Sequence, residues 1–146
     1  MDARLDKHPK ILNVAATGAL RLRVDWDNGI SHEVDLAGMT AEFSAMAPLG
    51  SDPELFGRVE PGDFGWCAHW TDDVEVSAAT LWALALRQDG GAFRAWRRRH
   101  GMSQQSAAEA LGLSTRMVKY YEAGTHAVPK TIRLAIMGYD SLNAAE

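Results

Sequence analysis

Two short helices with marked ends constrain the fold of this chain more than any other feature. Ser103 can cap the first helix through its hydroxyl, and we predict that this helix extends to Leu111. Gly112 can adopt the left-handed backbone that ends a helix. Ser114 can cap a second helix, which we predict to end at Gly124. Two helices joined by so short a turn must pack against each other at a steep angle.

Apolar residues at helical spacing extend this pair into a small helical domain. We predict one helix over residues 92–100 and another that begins at Pro129, which is favoured in a first helical turn. The predicted core residues of this domain are Phe93, Trp96, Met102, Ala108, Leu111, Val118, Tyr121, Ile132 and Ile136.

Charge divides the chain into two parts. Residues 1–90 carry a net charge of −8 and residues 91–146 one of +4, which together give the −4 of the whole chain. The sign changes near Asp89-Gly90-Gly91, where two glycines predict a hinge. We therefore predict an acidic domain over residues 1–89 and a helical domain over residues 90–146, whose basic balance suits a phosphate-binding surface.

The helical part resembles the lambda repressor/Cro-type (XRE-type) helix-turn-helix family over about 45 residues. The matching residues are Arg97, Ser103, Gln104, Ala108, Gly112, Leu113, Ser114, Val118, Tyr121, Glu122, Ala123 and Gly124. The resemblance implies that Gln104 contacts a DNA phosphate and that Arg97 pairs with Glu122. It also implies that the second helix of the pair enters the major groove of DNA.

The same second helix has an outward face that suits base reading. Val118 and Tyr121 should face the core, which leaves the other side of the helix to solvent. The candidate base-reading residues are Thr115, Arg116, Lys119 and Tyr120. Arg116 can donate two hydrogen bonds to a guanine. The candidate phosphate-binding residues, which would position the protein, are Ser103, Gln104, Ser114, Thr125 and Lys130.

The acidic part predicts a small α+β domain. Apolar and polar residues alternate from Leu20 to Trp26 and again from Ile30 to Leu36, around the turn Asp27-Asn28-Gly29. We also predict a short helix capped by Asp52. The order continues with a strand over residues 64–70, a turn at residues 71–73, a returning strand at residues 74–76 and a helix from Ser77 to about Leu86. The fold class is thus an α+β N-terminal domain, with a small antiparallel sheet and short helices, followed by an all-α domain of four to five helices.

This acidic part resembles the bacterial domain of unknown function 2442 family over about 75 residues. The resemblance rests on Trp26-Asp27-Asn28-Gly29, Val34-Asp35-Leu36, Pro48-Leu49, Asp52-Pro53-Glu54-Leu55-Phe56 and the segment from Trp70 to Trp82. Some members of that family carry a Cro-type domain behind this one, and others are suspected antitoxins. The family implies an architecture and no activity.

No catalytic residues, cofactor site or metal site are predicted. Cys67 and His69 share one face of a strand, but zinc needs three or four ligands, so a packed Cys and a structural His are favoured over a metal pair. The chain contains no phosphate-binding glycine loop and no HExxH sequence. Trp66, Trp70 and Trp82 are interpreted as core residues, with a binding face for a protein or small ligand as the alternative.

The composition predicts a cytoplasmic protein, and the family resemblances imply a bacterial one that is associated with the nucleoid when bound to DNA. The single cysteine excludes an internal disulfide framework, and no apolar run is long enough to span a membrane. The first residues, Met1 to Asp6, lack an apolar signal region.

These observations predict a dimeric, sequence-specific DNA-binding transcriptional regulator, a repressor rather than an enzyme. The acidic domain would serve sensing, dimerisation or partner binding, with a protein or a small-molecule effector as its ligand, and would face away from DNA. The alternative is an antitoxin-like protein whose N-terminal domain neutralises a partner protein while its helix-turn-helix autoregulates. A third hypothesis is that the helix pair serves as an interaction module without reading DNA.

Overall fold

The structure is a computed structural model that describes residues 8–144. The expectation about a signal region concerns residues 1–6 and lies outside the described residues. The chain divides into two compact units, Met1–Ala85 and Leu86–Glu146.

In its described residues, the first unit contains two antiparallel sheets of three strands each. The first sheet has the order β1 (Ile11–Gly18), β2 (Arg21–Trp26) and β3 (Ser31–Asp35). The second sheet has the order β4 (Glu60–Pro61), β5 (Cys67–Thr71) and β6 (Val74–Ser77). Short helices lie between the sheets in sequence, namely α1 (Ala37–Glu42), α2 (Ala47–Ser51) and α3 (Pro53–Phe56), with 3-10 turns at residues 44–46 and 63–65.

The predicted hairpin of the first sheet is confirmed. Leu22, Val24 and Trp26 alternate inward and are almost fully buried, and β2 pairs with β3 across the turn that contains Gly29. The Asp52 cap is also confirmed, since its carboxylate accepts a hydrogen bond from the amide of Leu55 at 3.1 Å.

Strand β1 was not predicted. Its buried residues, Ile11 and Val14, are three apart rather than two, because a register shift between Ile11 and Asn13 interrupts its pairing with β2. The alternation that marks a strand in sequence is therefore broken within β1 itself.

Of Trp66, Trp70 and Trp82, two belong to the core of the first unit. Trp70 is buried and donates from Nε1 to the carbonyl of Phe56 at 3.0 Å. Trp82 is partly buried and packs edge-on against Trp26 with ring centroids 5.2 Å apart. Trp66 is half exposed, so the interpretation as a core residue is wrong for this position. Its strand begins at Cys67 and not at Phe64, because Phe64 has a positive φ of 56° in the preceding 3-10 turn.

The second unit is helical and confirms the predicted all-α class. Its helices are the later part of α4 (Ala78–Arg99), then α5 (Gln104–Leu111), α6 (Thr115–Ala123) and α7 (Lys130–Ala144). Phe93, Trp96, Val118 and Tyr121 form its buried core, as predicted. The partly buried Met102, Leu111, Ile132 and Ile136 pack against that core.

The hinge expected at Asp89-Gly90-Gly91 is wrong, because α4 is one continuous helix where two were predicted. Gly90 has a packing role instead. A Cβ at position 90 would lie 2.5 Å from the carbonyl oxygen of Tyr121 and 2.8 Å from that of Glu122. A glycine is therefore needed where the end of α6 meets α4.

Within residues 8–144, the structure contains no helix with the length and apolar character needed to cross a membrane.

Candidate nucleic-acid interface

The pair formed by α5 and α6 is capped as the sequence predicts. The Ser103 hydroxyl accepts a hydrogen bond from the amide of Ser106 at 3.0 Å, and the Ser114 hydroxyl accepts one from the amide of Met117 at 3.1 Å. The αL conformation of Gly112 and Gly124, with φ of 71° and 74°, ends the two helices. Each helix therefore begins with a polar side chain and free backbone amides, which suits an anionic ligand.

Helix α6 has one buried side and one exposed side. Val118, Tyr121 and Glu122 are buried. On the other side, Arg116 and Lys119 are exposed and Tyr120 is 36% exposed, while Thr115 is partly buried in the first turn. The four candidate base-reading residues thus lie next to one another on α6, in two pairs that are each one helical turn apart.

Tyr120 is held in place by a residue that the sequence interpretation did not select. The ring of His126 stacks on the ring of Tyr120, with centroids 4.5 Å apart and planes inclined by 10°. The Thr125 hydroxyl lies 3.0 Å from His126 Nδ1 and 3.2 Å from the carbonyl oxygen of Tyr120. Both aromatic residues are therefore ordered by the turn that ends α6.

The candidate phosphate-binding residues occupy three helix ends. Ser103 and Gln104 begin α5, Ser114 precedes α6, and Lys130 begins α7. Each serine oxygen accepts a bond from its own helix. The Ser103 hydroxyl also lies 2.9 Å from the Ser106 hydroxyl, whereas Ser114 keeps a hydroxyl hydrogen as a donor. Thr125 differs, because its amide donates to the carbonyl of Tyr120 at 3.1 Å and its hydroxyl has partners within the turn.

Glu122 is a buried acid held by two arginines. Its side chain is 1% exposed, and Arg97 donates to it from Nε at 3.0 Å and from Nη2 at 2.9 Å. Arg97 also donates to the carbonyl of Met102 at 3.0 Å, so it links α4 to the turn before α5 and to the end of α6. Arg94 adds a third bond to Glu122 at 3.3 Å. The sequence interpretation did not connect Arg94 with Glu122.

The pKa values of this cluster agree with an ion pair. Burial acts to raise the pKa of Glu122, but the hydrogen bonds and charge of Arg97, helped by Arg94 and Gln104, outweigh it and hold the pKa below its ordinary value. The hydrogen bond to Glu122 raises the pKa of Arg97. Both groups are therefore charged at neutral pH, and the carboxylate fixes the end of α6 against α4.

Trp96 and His100 of α4 share a second carboxylate. Asp140 of α7 accepts from Trp96 Nε1 at 2.8 Å and lies 2.9 Å from His100 Nε2. The bond from Trp96 is the main cause that lowers the pKa of Asp140. This contact fixes α7 against α4.

Cys67 and His69 have a third neighbour that the sequence interpretation did not connect with them. The carboxylate of Glu75 lies 3.6 Å from the Cys67 thiol and 3.5 Å from His69 Nδ1. Burial, followed by the charge of Glu75, raises the pKa of the Cys67 thiol. A thiol with a raised pKa is a poor nucleophile at neutral pH.

Comparison with known families defines the class of the second unit. Residues 93–137 match the model of a helix-turn-helix family. The match spans the later part of α4, both helices of the capped pair and about half of α7. The resemblance of about 75 residues of the acidic part to the domain of unknown function 2442 family stays a prediction.

A solved structure extends the similarity to most of the chain. It is the crystal structure of the "Putative DNA Binding Protein NE0471" from Nitrosomonas europaea ATCC 19718, which is 34% identical. The similarity covers 90% of this chain and 86% of that one, with a TM-score of 0.51. The chain therefore belongs to the same family as this Nitrosomonas europaea protein. No curated protein matches the chain.

Proposed function

We propose that this protein is a sequence-specific DNA-binding transcriptional regulator that reads operator DNA with α6. The observation that carries the proposal is the exposed row of Arg116, Lys119 and Tyr120 on a capped helix whose opposite side is buried. The family match over residues 93–137 supports it, as does the description of the Nitrosomonas europaea relative as a DNA binding protein. A helix of this kind enters the major groove and places its first turns at the base edges.

Each base-reading residue has a distinct chemical role. Arg116 donates a bidentate pair to guanine O6 and N7. Thr115 contacts a thymine methyl or another base edge, and Lys119 reaches a base or a phosphate. Tyr120, ordered by His126, contacts a thymine methyl or a sugar.

The phosphate contacts fix the register on the duplex. Ser103 and Ser114 donate from their hydroxyl groups, Gln104 donates from its amide, and Lys130 supplies a positive charge. Thr125 contributes when its hydroxyl gives up a hydrogen bond within the turn and donates to a phosphate oxygen instead.

The protein works as a homodimer on a two-fold operator and represses transcription by occupying it. One helix-turn-helix contacts few base pairs, and two copies double that contact with half-sites about 34 Å apart. Helix α7 supplies apolar side chains for self-association, since Leu134 and Met137 are 55% and 65% exposed. The protein acts in the cytoplasm on chromosomal DNA and catalyses no reaction.

Selection from a randomised duplex library tests the proposal. The full chain is incubated with the library, bound duplexes are sequenced, and the affinity for the best sequence is followed against salt. We expect a palindrome and an affinity that falls steeply as salt rises, because phosphate contacts release counterions. Weak binding without sequence preference would exclude a sequence-specific regulator, and an enriched sequence without two-fold symmetry would exclude the dimer.

A second candidate function is the antitoxin-like one, in which the first unit binds a protein. It is favoured by Phe64 and Trp66, which are two residues apart in that unit and 84% and 50% exposed. Exposed aromatic residues are typical anchors of protein interfaces. Co-purification of one stoichiometric protein with the tagged chain, lost in a Phe64→Ser variant, is the expected result for this candidate. A chain that purifies from its own host without such a protein contradicts it.

A further inference from the structure

Three side chains with metal-binding atoms meet on the outer face of the second sheet. Ala68 and Trp70 of β5 face the core, so Cys67 and His69 face outward. The pairing of β5 with β6 places Glu75 directly opposite His69. The strand geometry therefore collects a thiol, an imidazole and a carboxylate on one face without a loop to order them.

The two distances from the Glu75 carboxylate oxygen fit one small cation. The three ligand atoms of Cys67, His69 and Glu75 lie within 4.8 Å of one another. The Glu75 oxygen is 3.6 Å from the Cys67 sulfur and 3.5 Å from His69 Nδ1. Tetrahedral bonds of zinc to sulfur, nitrogen and oxygen place such atoms about 3.3–3.6 Å apart. Within residues 8–144 no other group of three His, Cys, Asp or Glu side chains has this arrangement.

The second nitrogen of His69 has a carboxylate partner. Nε2 lies 3.8 Å from Oδ1 of Asp72, while Nδ1 faces Glu75. A histidine that binds a metal through one nitrogen commonly directs the other to a carboxylate, which fixes its tautomer and ring orientation. Asp72 is placed for that positioning role.

The carboxylates around the three residues favour a cation, and the pocket that they line has room for one. The three residues line an open pocket of about 520 Å³, together with the carboxylates of Glu60, Asp63 and Asp72. None of the described residues that line this pocket is a lysine or an arginine. Gly62 borders the Cys67 sulfur so closely that a Cβ at this position would overlap it. The sulfur is therefore accessible from the pocket because residue 62 has no side chain.

We propose that Cys67, His69 and Glu75 form a binding site for a divalent transition-metal ion, with zinc as the ion of best fit. The thiol supplies a proton to solvent as the sulfur–metal bond forms, and a water molecule takes the fourth position. The mixed sulfur, nitrogen and oxygen ligands select zinc and its neighbours over Mg²⁺ and Ca²⁺, which take oxygen ligands. The site is independent of the DNA-binding proposal, since all of its residues belong to the first unit.

Calorimetric titration of the full-length, chelator-treated and reduced protein with Zn²⁺ tests the proposal. We expect one ion per chain. Titration with Co²⁺ should produce the near-ultraviolet charge-transfer absorption of a thiolate bound to the metal. The absence of stoichiometric Zn²⁺ binding, or Co²⁺ binding without that absorption, overturns the proposal.

Matched variants assign the ligands. Cys67→Ser and Glu75→Gln should each weaken Zn²⁺ binding by about 100-fold or more, because even outer partners of a metal site contribute 10–100-fold. Asp73→Asn, an exposed acid of the adjacent turn outside the pocket, should leave the affinity unchanged. Equal losses in Glu75→Gln and Asp73→Asn would show general attraction by acidic side chains and overturn the site.

A folding check and one further variant keep the test decisive. Glu75 has a side chain that is 55% exposed, so Glu75→Gln should fold even where Cys67→Ser does not, and far-ultraviolet circular dichroism of the metal-free forms checks this. Asp72→Asn should weaken Zn²⁺ binding by about 10-fold while the Co²⁺–thiolate absorption at saturation persists. Loss of that absorption in Asp72→Asn would contradict its positioning role.

Discussion

At the scale of single residues, Arg116 provides the most direct test of base reading. Arg116→Ala should cost about 1–3 kcal/mol of binding free energy on the selected operator and relax the preference at one base position, because a bidentate contact to guanine is lost. Fluorescence anisotropy with operator and scrambled duplexes measures both effects. Arg58→Ala, which removes an exposed arginine of the acidic unit, is the matched control and should leave both affinities unchanged. An equal loss on both duplexes would assign Arg116 to a phosphate.

Glu122 provides the corresponding test of stability. Glu122→Ala should lower the free energy of unfolding of the second unit by about 3–5 kcal/mol, because it leaves Arg97 without its buried partner. Urea denaturation followed by circular dichroism measures this loss. Glu109→Ala removes an exposed acid of α5 and should change stability little. Similar losses in the two variants would remove the buried pair as the cause.

The lowered pKa of Glu122 makes stability depend on pH in a defined direction. The folded protein holds the proton less tightly than the unfolded chain, so the stabilisation is complete above the unfolded pKa of about 4.3 and is lost as pH falls through the folded pKa. The wild type should therefore lose more stability than Glu122→Gln between about pH 6 and pH 3. Urea midpoints at a series of pH values measure the difference, and parallel curves would contradict the argument.

The sequence predicted the outward residues of α6 because local signals fix them. Caps at Ser114 and Gly124 set the ends of the helix, and the helical repeat of the residues between them then determines which side chains face solvent. The contacts of Arg94 and His126 depend on how separate segments meet, which no local pattern encodes. The position of Glu75 opposite His69 did follow from the predicted turn at residues 71–73, but cross-strand register has to be traced to see it.

At the scale of elements, Gly90 and Gly91 of α4 should respond oppositely to alanine. Gly90→Ala should destabilise the second unit by roughly 1–3 kcal/mol, because the new methyl group meets the carbonyls that end α6. Gly91→Ala should stabilise the protein by roughly 0.5–1 kcal/mol, because its Cβ meets nothing within 4 Å and alanine favours a helix.

Thermal unfolding of the two glycine variants measures both signs. Gly91→Ala serves as the control for a change of helix propensity without a clash. A stabilised Gly90→Ala protein would show that α4 and α6 do not meet as closely as the structure places them.

The same two glycines show why sequence reasoning failed at this element. Paired glycines at a change of charge are typical of a hinge, and the reading of Gly90 as flexible was consistent with every local signal. The requirement at Gly90 comes from α6, more than 30 residues later in the chain. A glycine required by close approach and one required by a turn look identical in sequence.

At the scale of the whole molecule, the order of an α+β unit before a helical unit was predictable from composition and pattern. The charge changes sign near residue 90, and strand periodicity gives way to helix periodicity at Ser77. The second sheet and the first strand were harder to predict, because β4 has two residues and β1 has an interrupted pairing. Short or irregular strands depend on their neighbours for stability rather than on their own sequence.

The buried ion pair between Arg97 and Glu122 also restricts how the sequences of this family can diverge. Substitution of either Glu122 or Arg97 leaves the other charge without its main partner in a mostly buried place, so the two positions cannot change in separate, harmless steps. Descendants of a common ancestor should therefore have retained both residues or exchanged both. A family tree in which both changes fall on the same branches would show that the ion pair between Arg97 and Glu122 has constrained the evolution of both positions.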